Sequence, residues 1–198
     1  PSYLAWLAID EALYPDHVYA QRTSREAVQA VTRSDLVQRS HAMFARDRMQ
    51  ITLVGDIDAA TAARLLDETF ASVPASAPFD PPPQANIRAA TPLIVRDLPQ
   101  PQSLILFVAP GIQDEDPDWV PLAVANYILG GGGFSSRLTA EVRERRGLVY
   151  GVGTSPSVRE HVAVIRGSAQ TENGNVREAL EVIRAEMGRL VRDGATQA

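Results

Sequence analysis

Five prolines fall within the eleven residues of "PASAPFDPPPQ" (74–84). Proline lacks a backbone N–H and fixes φ, so this stretch can neither continue a helix nor join the interior of a sheet. It reads as an extended linker. With 198 residues and roughly 150 per domain, there is room for one large domain or two small ones. The prolines favour a division: residues 1–74, a linker over 75–91, and residues 92–198.

Periodicity fills in both sides. Leu4, Leu7, Ala8, Glu11 and Ala12 sit at helical spacing and predict a first helix ending near Tyr14-Pro15. Thr23 with Glu26 has capping-box spacing ahead of a short helix over 25–31, and "TRSD" (32–35) repeats the signal. The helix that follows carries Leu36, Val37, Met43 and Phe44 on its apolar side. "MQITLVGDID" (49–58) begins as an alternating strand, and Asp58 is placed to cap a helix with Ala62, Leu65, Leu66, Thr69 and Phe70 on one side.

Beyond the linker, "PLIVRDLP" (92–99) and "QSLILFVAPG" (102–111) read as strands. Asp116 and Pro117 are placed to open a helix that stops at a glycine run. Phe134, Leu138 and Val142 are four apart and predict a helix over 135–146. "LVYGVGTSPS" and "HVAVIRGSAQ" read as two more strands. Val176, Leu180, Ile183, Met187 and Leu190 recur at 4, 3, 4, 3, with Asn175 and Glu178 placed to cap that last helix. The strand–turn–helix unit "ITLVGDIDAATAARLLDETF" returns as "AVIRGSAQTENGNVREALEVI". Two copies of one α+β unit would explain the likeness.

Composition narrows the chemistry. Apolar residues make up 45% and charged residues 22%, enough for a real core. The net charge of −5 lacks the basic footprint of a nucleic-acid binder. Without cysteine there are no disulfides, thiolate metal sites or cysteine nucleophiles. No apolar run is long enough for a membrane-spanning helix. His17, His41 and His161 are scattered and show none of the paired-histidine zinc motifs, so no metal ligand is assigned to this chain. The chain starts at Pro1 inside a helical pattern and stops just after another, as a piece of a longer protein would.

One stretch stands out: "LGGGGFSSRLTAEVRERRGLVYGVGTS", Leu129–Ser155. Glycine permits positive φ and close backbone approach. The run is compatible with a helix cap and hinge, or with a mobile loop that admits an extended ligand. A phosphate cradle would want a lysine at a set position, and "FSSR" follows instead. Arg143 closes the helix and Tyr150 opens the next strand. A guanidinium fork and a phenol could together hold a carbonyl oxygen or a developing oxyanion. The plainer alternative is that Arg143 stabilises the helix C-terminus and Tyr150 packs in the sheet.

The same stretch resembles the C-terminal homologous domain of the insulinase, pitrilysin and mitochondrial processing peptidase family of zinc metallopeptidases. The likeness lies in the glycine-rich turn, then "SSRL", then "VRE-R-GLVY". "ALYPDHVYAQRTSREAVQAVTRSDLVQ" resembles a late segment of that family's first domain, and "ITLVGDIDAATAARLLDETF" resembles the strand and helix that close it. The resemblance implies an α+β fold of tandem homologous domains, mainly antiparallel sheet with helices packed on one face. Here the first domain is partial (1–74) and the second is most of a copy (92–198). It implies that Arg143 and Tyr150, seven residues apart, clamp the scissile carbonyl from the domain opposite the zinc. Gly130, Gly131, Gly132, Gly133, Phe134 and Ser135 would line the entry of an unstructured peptide.

Zinc belongs to the full assembly, its inverted H-x-x-E-H ligands outside these residues, so this piece alone is expected to be inactive. The implied partners are a peptide substrate and a zinc-bearing homologous subunit or second copy, as heterodimer or homodimer. The alternative is a non-catalytic structural relative, similar to the core proteins of respiratory complexes. A bacterial, periplasmic setting is expected, with the cytoplasm as the alternative.

Overall fold

Three apolar runs become one antiparallel sheet: β1 (Gln102–Pro110), β2 (Gly151–Arg159) and β3 (Val162–Glu172). The helices are α1 (Ser2–Leu13), α2 (Arg25–Ala30), α3 (Arg33–Met43), α4 (Ala59–Phe70), α5 (Trp119–Asn126) and α6 (Val176–Asp193). The computed structural model describes residues 2–78, 80–88 and 93–195. They divide into two compact units. One holds the chain up to Gln21 together with the chain from Pro83 onward, and the other is Arg22–Pro82.

In the first unit β3 is central, between β1 and β2. The register sets Ala169 opposite both Ile105 and Val152, and Arg166 opposite both Val108 and Ser155. Side chains alternate along a strand, so these two sets line opposite faces. On the first face Ile105 and Ala169 pack with Leu129, Leu138, Val142, Leu148, Val149 and, from α6, Ala179 and Ile183. The 4-3-4-3 pattern of α6 is what aims Ile183 inward, where it is 2% exposed. That burial contributes about 1.5–3 kcal/mol. The expected Asn175 cap does not form. Asn175 ends a tight 3-10 turn (Asn173–Asn175) with helical backbone, not the extended backbone that points a cap at the first-turn N–H groups. Helix α5 likewise starts later than expected. The Asp116 carboxylate accepts from the Asp118 N–H at 2.9 Å in a turn ahead of the helix.

The opposite face is covered by α1. Leu13 and Tyr14 pack with Ala20, Val162 and Val164. Among them lies a buried carboxylate, Asp10. It accepts from the Tyr14 hydroxyl at 2.6 Å and from Arg166 at 3.1 Å, with Arg159 at 3.7 Å. The Arg166 guanidinium also covers the Trp6 ring at 4.8 Å. A buried charge needs such multiple partners. Burial, then the bond to Asp10, pushes the Tyr14 phenol up to about 12.

The 22–82 unit has well-made helix starts and little core. Thr32 and Asp35 form a complete capping box on α3, and Asp58 caps α4 by accepting from the Thr61 N–H at 2.9 Å. Those backbone N–H bonds, followed by the Thr hydroxyls, hold the Asp35 and Asp58 carboxyls below their usual range. Helix α2 is capped by Ser24, not Thr23, because Ser24 is the residue whose oxygen reaches the Ala27 N–H. None of α2, α3 or α4 has a buried residue. Leu36, Met43 and Phe44, the expected apolar side of α3, are exposed. The strand expected over 49–58 does not form, nor does one over 93–99 (Pro92 lies outside the described residues). A strand needs a neighbour for its N–H and C=O groups, and among the described residues none pairs with either segment. Ile51, Leu53 and Val54 stand exposed as a result.

Candidate functional site

Between α5 and β2 the backbone departs twice from regular α-helix. The chain widens into a π-helical turn over Tyr127–Gly131, where the Gly132 N–H donates to the Tyr127 carbonyl at 2.8 Å. A second π-helical segment spans Thr139–Glu144. Such widened turns recur at functional sites, because the inserted residue re-aims its neighbours. The predicted helix over 135–146 forms over residues 137–144, most of it as the π-helical segment, with a 3-10 turn at Gly133–Ser135 just ahead of it.

The glycine run is a packed corner. Gly130 is buried, and a Cβ there would stand 2.6 Å from the Thr154 Oγ1 and 2.8 Å from the Thr154 N of β2. Only a bare backbone fits so close to the strand. The Ser135 hydroxyl donates to the Gly132 carbonyl at 2.9 Å and the Ser136 hydroxyl to the Gly133 carbonyl at 2.7 Å. Gly131, Gly133, Phe134 and Ser135 are exposed, and Gly132 is half-buried.

Arg143 lies in the second π-helical segment, and Gly147 ends it with φ +63°. The Gly147 N–H donates to the Arg143 carbonyl and the Leu148 N–H to the Val142 carbonyl, both at 2.9 Å. Leu138 and Val142, both fully buried, anchor this segment to the core. The Thr171 hydroxyl donates to the Leu148 carbonyl at 2.5 Å, and the Tyr150 N–H donates to the Gln170 carbonyl at 2.8 Å. The eight residues from Arg143 to Tyr150 are thus tied at both ends to rigid neighbours.

Their tips reach solvent. The Arg143 side chain is 40% exposed and Tyr150 is 54% exposed. The guanidinium carbon lies 4.9 Å from the Phe134 ring centroid, and Nε is 3.6 Å from Glu144. Phe134 therefore leaves the apolar face it was expected to share with Leu138 and Val142, and stacks on Arg143. The Tyr150 hydroxyl donates to Glu172 at 3.2 Å. No hydrogen bond joins the guanidinium to the phenol among the described residues. Chemically the patch offers several N–H donors and one O–H donor, each now on an exchangeable partner, to an oxygen-rich ligand.

Sequence reasoning missed Glu172 and Thr154. Glu172 lies 22 residues from Tyr150, and only the β2–β3 register brings them together. Zinc does not fit the described residues. No three His, Asp or Glu side chains among them converge as a metal site requires. His17 and His161 have ring centroids 6.1 Å apart, but both nitrogens of His17 are engaged by backbone groups.

Comparison with known proteins identifies the family and the fold. The family model described as "Peptidase M16 inactive domain" matches residues 30–198. An uncharacterized zinc protease of Mycobacterium leprae is 29% identical over 194 residues, covering 94% of this chain and 43% of its own length. A non-peptidase homolog of Helicobacter pylori is 23% identical over 199 residues, covering 98% of this chain and 45% of its own length. The crystal structure of a peptidase M16 inactive domain from Pseudomonas fluorescens superposes with a TM-score of 0.86 at 28% identity, over 100% of this chain and 48% of that one. The chain spans less than half the length of the curated relatives it matches.

Proposed function

The chain belongs to the M16 peptidase family, and we propose that it supplies the Arg143–Tyr150 half of a composite peptidase active site. The observation that carries the reading is the exposure of both donor tips on a backbone pinned to the core at Leu138, Val142 and Thr171. Rigid supports with free tips are what oxyanion stabilisation asks for, because the donors need no reorganisation when charge develops. A peptide carbonyl entering beside Tyr150 replaces Glu172 as the acceptor of the phenol O–H. The Arg143 guanidinium, held flat by Phe134, donates to the same oxygen from the other side. The exposed edge of the glycine corner, Gly131 and Gly133–Ser135, receives the extended peptide. Zinc and its ligands come from a homologous partner, as a second subunit or a second copy.

The test is reconstitution of the full-length protein with a zinc-bearing homologue and an unstructured peptide. Arg143→Ala and Tyr150→Phe each lower turnover by about 3 kcal/mol of transition-state stabilisation, roughly two orders of magnitude. Unchanged turnover in both variants favours a second reading, a non-catalytic interaction subunit. The relative named a non-peptidase homolog in Helicobacter pylori supports that alternative.

A further inference from the structure

The last residue of α5, Asn126, is a buried amide at 8% exposure. Its Nδ2 donates to the Thr154 carbonyl of β2 at 3.3 Å. The bond ties the end of α5 to a strand whose only strand neighbour is β3. The same amide lies against the glycine corner. A Cβ on Gly131 would stand 2.7 Å from the Asn126 Nδ2, well inside the contact distance of packed atoms, about 3.5–4.0 Å. Gly131 does not adopt left-handed backbone. What excludes a side chain there is the close approach of Asn126, not the conformation of the chain. We propose that Asn126 is the positioning residue of the glycine corner: its amide sets where the exposed Gly131 edge stands above β2.

Stability alone is a poor reason for this side chain. Asparagine is a weak helix former. The Asn126 Oδ1 and the Thr154 Oγ1 are both buried with no hydrogen-bond partner among the described residues. Burying a polar atom without a partner is costly, and an apolar side chain of similar size would leave no such orphan on α5. Local departures of that kind concentrate where a chain serves function.

The amide is a spacer of fixed thickness between the π-helical turn and β2. Its bond to Thr154 fixes the spacer, and the bare backbone of Gly131 lets the turn rest directly on it. This inference rests on the reading given above, in which the exposed side of Gly131 receives the extended peptide. Without the amide the turn is free to settle toward β2, and the peptide meets a corner of variable depth. Arg143 and Tyr150 do not hang from this spacer, since Leu138, Val142 and Thr171 anchor them. Asn126 therefore governs peptide binding without touching the reacting carbonyl.

Steady-state kinetics test this, with the full-length protein reconstituted with a zinc-bearing homologue and an unstructured peptide. Asn126→Ala should raise KM roughly fivefold to tenfold, the size of one hydrogen bond, and leave kcat within about twofold. Gly131→Ala, which pushes the turn off the amide from the other side, should raise KM as well. A merely structural residue would lower kcat through loss of folded enzyme and leave KM alone. That result, or an unchanged KM, overturns the proposal. Arg143→Ala is assayed alongside. If it leaves turnover unchanged, the peptidase reading falls and takes the positioning role with it. If it lowers turnover while Asn126→Ala leaves KM unmoved, only the positioning role falls. A second measurement needs no catalysis. In urea unfolding, Gly131→Ala should lower the midpoint in the wild-type background, where its methyl meets Nδ2, and by much less beside Asn126→Ala, where that space is open. Additive losses would mean that the amide and the glycine do not set each other's place, and overturn the proposal.

Discussion

Helices α4 and α6 are both written as amphipathic, yet they end differently. In α6 the apolar stripe is taken up by the sheet, and Ala179 and Ile183 are buried. In α4 no residue is buried and Leu65 is 42% exposed. The contrast extends to whole units. The sheet-bearing unit has apolar clusters on both faces of its sheet, whereas α2, α3 and α4 bury nothing. An apolar stripe declares which side of a helix wants cover, and only a neighbouring element turns that demand into stability.

Five substitutions can break or sharpen that contrast. Leu138→Ala, in the packed unit, should cost about 3 kcal/mol in urea unfolding, through lost transfer energy and a residual cavity. Leu36→Ala, on exposed α3, should stay within about 0.5 kcal/mol. Equal losses would mean that Leu36 is as well covered as Leu138. Gly130→Ala should cost about 2 kcal/mol, because the added methyl meets backbone at Thr154 as well as its side chain. A neutral result there would show that the glycine corner yields.

Tyr14→Phe comes next, at about 1.5 kcal/mol near neutral pH, for the lost bond to the Asp10 carboxylate. It also carries a pH signature. The folded phenol is raised to about 12 from 10.0, so the unfolded chain loses that proton first. The associated stability is complete below pH 10 and disappears as pH rises toward 12. The alkaline fall in stability should therefore be shallower in the variant, read from melting curves between pH 9 and 12.

A local effect belongs to Asp58→Ala, a lost cap read as reduced helicity of α4. Because the Asp58 carboxyl is lowered in the fold, its contribution is present above the ordinary carboxylate range and fades as pH falls through the folded value. An equal helicity loss at pH 7 and pH 2 would remove the cap from the account.

Legibility followed the range of the interaction. The Thr32–Asp35 box, the Asp58 cap and the 4-3-4-3 stripe of α6 operate within one or two helical turns, and each could be read from spacing. Arg143 and Tyr150 were singled out as candidates through a family likeness. Their present partners were legible only in part: Phe134 and Glu144 are near in sequence, Glu172 is not. The strand expected over 49–58 failed for the same reason, since alternation names a strand but cannot supply the neighbour it must pair with.

By itself, the sequence determined where α3 and α4 begin, which runs can be strands, and the absence of cysteine chemistry. All of these follow from local backbone preference or from composition. The tertiary structure decided which apolar faces are covered and why Gly130 must be glycine. It also decided that Asp10 meets an arginine 156 residues away, and that His17 reaches across to Pro83. Those outcomes depend on which distant backbones approach within a few ångströms, and no local pattern encodes that.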